Sequence, residues 1–173
     1  MNVAQLKMWN VALPIGNLRY HDEGYVDSIG GAAKQVHQKY GEPRPDISFR
    51  DVLGFYTKIG LDIHIMYLRR PTTPLDIQNR AHEEFHAAEC CDGLDFLSSA
   101  TKERGTPINF REIKDEQVRA NVGALYVLDQ HGFSPRDLGK YRKYREMAPA
   151  VEIWNKIKPS KRFFLMQNKR VLH

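Results

Sequence analysis

Between Pro74 and Gly93 the chain contains neither proline nor glycine, and this uninterrupted stretch sets what the rest must be built around. Thr73-Pro74 is a helix start, since proline has no N–H to lose at the first helical position and its φ is already helical. Gly93 lies just past the end. A helix from Pro74 to about Cys91 is therefore expected. Before it, Leu61, Ile63, Ile65 and Tyr67 alternate with Asp62, His64 and Met66, the period of a strand with one buried face. Pro71 and Pro74 close that strand.

The other segments read less sharply. Residues 1–45 are punctuated by Gly24, Gly30, Gly31, Gly41, Pro43 and Pro45, with a short helix expected around 28–40. Asp46 or Ser48 can cap a helix, and Phe49, Val52, Leu53 and Tyr56 recur at helical spacing up to Gly60. Residues 92–108 read as a loop with a short helical turn. Asn109 followed by Glu112 resembles a capping box, predicting a helix over 110–131 that Gly132 stops. Ser134-Pro135 starts a last helix ending near Pro149. Helices with at least one strand make the fold class α+β.

With 173 residues and 42% apolar side chains, the chain can bury one core without disulfides. Its two cysteines, Cys90 and Cys91, are adjacent, a spacing unsuited to pairing with each other, so a reducing compartment is expected. Met1 to Leu18 is too short and too interrupted for a signal, and no run reaches the roughly 18 apolar residues of a membrane span. A cytoplasmic protein with no membrane segment is expected. The net charge is +5, and it concentrates late, at Lys140, Arg142, Lys143 and Arg145, then Lys156, Lys158, Lys161, Arg162, Lys169 and Arg170. Such a region is a solvated surface or a docking surface for a nucleic-acid or acidic partner.

The uninterrupted helix carries His82-Glu83-Glu84-Phe85-His86. Four residues at 100° each return the second imidazole to about 40° from the first, one turn along. Both rings can then approach one ion from the same side. Glu83, one residue on, lies near the same turn without being a ligand. This is the mechanical content of the H-E-x-x-H pattern, in which zinc acidifies a water and the glutamate takes its proton.

The chain resembles the ImmA/IrrE family of zinc metallopeptidases. The likeness is carried by a helix ending in Lys58-Ile59-Gly60, the strand Leu61-Asp62-Ile63-His64-Ile65, the helix with Arg80-Ala81-His82-Glu83-Glu84-Phe85-His86, and Arg119-Ala120-Asn121 with Ala124 downstream. It covers roughly residues 46–145. It implies a helix-rich zincin-like domain with a small sheet preceding the metal-motif helix. The chain then divides into an extension (1–45), the metallopeptidase domain (46–149) and a basic tail (150–173). It also implies cleavage of a protein substrate, a transcriptional repressor.

Two positions depart from the family pattern. Glu84 and Phe85 replace an apolar residue followed by glycine. The family's acidic third ligand stands three residues before the alanine, and here that position is Gln117. One residue on a helix is a 100° swing, so Glu116 is favoured as the third ligand if the helix register shifts. Asp115 has a shorter reach, and Asp92 requires a sharp turn after His86. His64 reads as a surface histidine and Cys90 as a buried thiol.

Three functions compete at this point. One is a zinc endopeptidase using Glu83, with His82, His86 and Glu116 on the metal. Another is a binding protein of the same fold with incomplete ligation, holding a protein or nucleic-acid partner through its basic C-terminal region. The third is a magnesium-dependent nucleotide hydrolase using Glu83, Glu84, Glu89, Asp92, Asp115 and Glu116, since magnesium prefers oxygen ligands.

Overall fold

The computed structural model describes residues 2–50, 52–68 and 73–158, and shows an α+β fold. Strands β1 (Asn2–Leu6) and β2 (Val11–Gly16) form an antiparallel hairpin. A second sheet has the order β3-β5-β4, with β3 (Arg19–Val26) parallel to β5 (Asp62–Leu68) and β4 (Gly54–Ile59) antiparallel to it. The helices are α1 (Ile29–Lys39), α2 (Pro74–Cys90), α3 (Leu94–Glu103), α4 (Glu116–Gln130) and α5 (Met147–Ile157). Short 3-10 segments cover Phe110–Glu112 and Pro135–Lys143. Among the described residues no helix is long and apolar enough to cross a membrane.

The α2 helix starts where the sequence places it. Thr73 Oγ1 accepts from the Asp76 N–H at 3.2 Å, and Asp76 accepts from the Thr73 N–H at 2.9 Å. This reciprocal capping satisfies two donors that a helix end otherwise leaves open. The strand before it is β5, but both of its faces are buried, not one. Ile63, Ile65 and Tyr67 face Ala87 of α2, while Met66 packs on Ile29, Ala33 and Val36 of α1. A central strand covered by a helix on each side has no solvent face to alternate with. His64, expected at the surface, is accordingly only 1% exposed.

Four other expectations are corrected. The helix expected before Gly60 is instead the strand β4. Its residues Phe55, Tyr56, Thr57 and Ile59 favour a pleated surface, and Gly60, at φ +59°, turns β4 directly into β5. The loop expected over 92–108 contains α3, which buries Leu97 and Thr101 but has no side-chain cap to announce it. The helix expected from Phe110 begins only at Glu116. Asp115 caps it by accepting from the Val118 N–H at 2.8 Å, and the Asn109–Glu112 pair encloses a single 3-10 turn. Pro149 does not end a helix. It lies in the first turn of α5, where its missing N–H costs nothing. Helix α5 continues through residues 150–157, whereas Lys161, Arg162, Lys169 and Arg170 lie outside the described residues, as does Pro71.

Residues 2–45 supply the hairpin, β3 and α1, and the hairpin turn reaches the main core. Trp9 stacks on Tyr126 at 5.6 Å between ring centroids and meets Phe85 and Phe110 at about the same range. Its indole N–H donates to Ala81 O at 3.0 Å. The Glu84 carboxyl accepts from the Met8 and Trp9 backbone N–H groups. Glu84 therefore anchors the hairpin turn to α2. Burial pushes its carboxyl up to about 7, against the opposing pull of those donors.

Phe85 needs room on the facing helix, and Gly123 of α4 gives it. A Cβ on Gly123 would stand 2.5 Å from Phe85 Cδ2 and 2.9 Å from Trp9 Cζ2. Both rings are fully buried, so neither can yield cheaply. Gly123→Ala is expected to lower stability by about 1–3 kcal/mol through overpacking. A urea midpoint unchanged from wild type would show that α2 and α4 can part there without loss.

Candidate metal centre at the α2–α4 crossing

Helices α2 and α4 are apolar along most of their contact, but each carries a short polar stripe at helical spacing. On α2 it is Gln78, His82 and His86, and on α4 it is Gln117 and Asn121. The stripes face each other. Gln78 Nε2 donates to Asn121 Oδ1 at 3.0 Å, and His82 Nδ1 lies 2.8 Å from the same oxygen. Asn121 Nδ2 donates to Glu146 O at 3.2 Å, which fixes which amide atom faces His82. That atom is the oxygen, an acceptor, so His82 Nδ1 carries the hydrogen and Nε2 the lone pair.

His86 is oriented in the same sense by different groups. Its Nδ1 lies 3.3 Å from Glu116 Oε1 and 3.9 Å from Glu89 Oε2, so it donates toward carboxylates and leaves Nε2 as the lone-pair atom. The two Nε2 atoms stand 3.0 Å apart. The Gln117 side-chain amide completes the group, 3.4 Å from His86 Nε2 and within bonding reach of His82. Burial holds both imidazoles below their ordinary pKa, His82 down to about 3 with the neighbouring His86 adding to the shift.

At this spacing the two nitrogens either share a hydrogen or hold a cation between them. A tetrahedral zinc with Zn–N bonds of about 2.05 Å separates two imidazole nitrogens by about 3.3 Å, close to the spacing found. The two imidazole nitrogens therefore fit a zinc ion, and the Gln117 amide lies beside them with its nitrogen 3.4 Å from His86 Nε2, so its oxygen becomes a donor only if that amide is turned over.

The acidic candidates lie elsewhere. Glu116 stands on the Nδ1 side of His86 at 3.3 Å, where a carboxylate orients the imidazole for an ion at Nε2 or, together with Glu89, forms a ligand group whose atoms lie within 4.8 Å of one another. Asp115 is committed to capping α4, and Asp92 is exposed beyond the end of α2 at φ +57°. Glu84 holds the hairpin turn, and Glu89 is ion-paired with Arg119. The carboxylates that a magnesium site would need are thus spread over separate tasks. Only Glu89 and Glu116 approach one another, against His86.

Glu83 is placed by a close approach of the sheet. A Cβ on Gly54 of β4 would meet Glu83 Cγ at 2.8 Å and Oε1 at 2.9 Å, so the glutamate lies along the bare backbone of that strand. Burial alone pushes its carboxyl up to about 8. Tyr141, from the second 3-10 segment, senses the Glu83 and Glu146 charges, and burial together with them raises its hydroxyl to about 12. On the other flank Tyr56 stacks on His86 at 6.1 Å. Cys90 and Cys91 are both half-buried free thiols, and Cys91 Sγ is turned to Ala87 O.

Asn121 and Gln78 had no assigned role in the sequence. The signal that marks them is the i, i+4 spacing shared by Gln78, His82 and His86, answered by Gln117 and Asn121. Compared with known proteins, the chain matches no family profile, no curated sequence and no solved structure.

The raised Glu83 carboxyl carries a pH signature. The unfolded chain loses this proton near pH 4.5, whereas the folded chain keeps it to about pH 8. Glu83 therefore costs stability progressively as pH rises through that window. Glu83→Gln, which cannot ionise, is expected to gain on wild type from pH 5 to 8 in the presence of a chelator, by on the order of a few kcal/mol. A wild-type-to-variant difference in urea midpoint that stays flat with pH would show that the carboxyl is not desolvated.

Proposed function

We propose that this chain is a zinc-dependent endopeptidase. The observation that carries the reading is the convergence of His82 Nε2 and His86 Nε2 at 3.0 Å, each ring fixed through its Nδ1 to present a lone pair. His82 and His86 would hold the ion, with the Gln117 amide beside them. Bound zinc supplies a Lewis acid that polarises a carbonyl and lowers the pKa of water. Glu83, adjacent in sequence and desolvated against β4, is the general base that accepts the proton. Its carboxyl, basic in the buried site, is brought toward neutrality by a nearby cation. The resemblance to the ImmA/IrrE peptidases supports a protein substrate, with a DNA-binding repressor as its class. Lys140, Lys143 and Arg145 are exposed on either side of Tyr141, so an acidic or nucleic-acid-bound partner would meet positive charge near the site.

A second reading rests on one observation. Gln117 supplies no negative charge where the family has a carboxylate, which weakens metal affinity and favours a binding protein built on the same frame.

Two experiments separate the readings. Gln117→Glu is expected to tighten zinc at least tenfold, whereas Glu116→Ala changes it far less than Gln117→Ala does. A Glu116→Ala loss larger than that of Gln117→Ala would return the third-ligand role to Glu116. In a cleavage assay with the host repressor repertoire, Glu83→Gln is expected to keep stoichiometric zinc and lose about 10²- to 10⁴-fold in rate. Full zinc loading without cleavage by wild type, together with cleavage gained by Gln117→Glu, would establish the binding-protein reading instead.

A further inference from the structure

The face of the β3–β5 pair turned toward α1 is apolar over only half its length. Ile29, Ala33 and Val36 of α1 cover Met66, but the helix ends at Lys39 before reaching the start of β5. Beyond the helix end Tyr40 packs over this face, which carries four residues with ligand chemistry, two of them, Asp62 and His64, buried. His21 and Glu23 are two apart on β3, and Asp62 and His64 are two apart on β5. In register, His21 lies opposite His64 and Arg19 opposite Asp62. Residues two apart share a sheet face, and cross-strand neighbours bring their Cβ atoms to within about 5.5 Å.

From this arrangement we infer a second metal site, in which His21, Asp62 and His64 hold a borderline divalent ion such as zinc.

The tautomers support it. Glu23 Oε1 lies 2.6 Å from His64 Nδ1, so that nitrogen carries the hydrogen and donates. His64 Nε2 is left as the lone-pair atom, directed toward the Tyr40 hydroxyl at 3.1 Å, which also reaches Asp62. A carboxylate behind an imidazole is the usual outer support of a metal-binding histidine. On the other side, His21 Nε2 lies 2.7 Å from Asp62 Oδ1 and donates to it, so an ion bound there would take the place of that hydrogen. One ligand atom from each of His21, Asp62 and His64 falls within 4.8 Å of the others.

Charge and access are consistent with an ion there. Asp62 is 3% exposed, and the Arg19 guanidinium that pairs with it holds its carboxyl well below the usual carboxylate range. It is therefore an ionised ligand at neutral pH. Two imidazoles and a carboxylate suit zinc better than magnesium or calcium. The His21 and His64 rings stack at 4.5 Å with 10° between their planes. An ion shared by two imidazoles lies in the plane of each, so one ring must turn. His21, with 35% of its side chain exposed, is the one free to do so, and His64 is fixed. This site lies on the opposite face of the sheet from α2, and no residue is shared with the α2–α4 centre.

The test is zinc titration against a competing chromophoric chelator, using the full chain. In the His82→Ala/His86→Ala background, which removes the α2 pair, one equivalent is expected to remain. Adding His21→Ala or Asp62→Asn is expected to weaken that equivalent at least tenfold, with the helical circular dichroism unchanged. A folded double variant that binds no zinc, or that binds it equally well without His21, overturns the site. Should the variants unfold, wild-type protein decides by side-chain ¹⁵N spectra. Movement of the His21 and His64 ring nitrogens as zinc passes one equivalent supports the site, and signals unmoved up to three equivalents overturn it.

Discussion

The crossing of α2 over α4 is the contact on which the remaining structure depends. At one point Phe85 occupies the space that Gly123 leaves free. One turn away, Gln78 and His82 share the oxygen of Asn121. The first contact lets the helices approach closely. The second places hydrogen-bonding groups in an otherwise apolar seam, where they can be satisfied in only one register. Sliding one helix past the other by a turn would leave buried amide and imidazole groups without partners, at a cost of roughly 1–3 kcal/mol for each group. The seam is therefore both the adhesive of the fold and the device that aims two imidazole nitrogens at one point.

The two glutamates of the motif show how a short sequence can serve separate ends. Neighbours on a helix point 100° apart. Glu83 falls toward β4. Glu84 falls toward the β1–β2 turn and receives its backbone N–H groups. Both carboxyls are desolvated, but only Glu84 has hydrogen-bond donors that offset the penalty. An unsupported carboxyl is costly for stability, while a supported one serves as a fastener.

Much of the architecture was legible because it rests on local rules. Thr73 and Pro74 announce α2, the short helix expected around 28–40 is α1, and the alternation over 61–67 marks β5. The segments misread are those in which a local signal has two meanings. Gly60 can stop a helix or turn a hairpin, and only pairing with β5 decides between them. Helix α3 begins without a capping side chain, so its start leaves no mark in the sequence. At the centre, His82, Glu83 and His86 could be grouped by spacing within one helix. The rotation of α4 about its own axis could not be read this way, because it depends on how Phe85, Gly123 and Trp9 pack. That rotation brings Gln117 to His86 Nε2 and Glu116 to His86 Nδ1.

Trp9 also bears on how such a chain is made. Its partners are Ala81, Phe85, Phe110 and Tyr126, all far downstream. While the protein emerges from a ribosome, the β1–β2 hairpin exists long before anything that can cover its indole. A lone two-stranded hairpin is marginal in water, and closing such distant contacts is slow. The newborn amino-terminal segment thus displays an oily tip until α4 has left the exit tunnel. For that interval it is a natural client for chaperones that greet nascent chains.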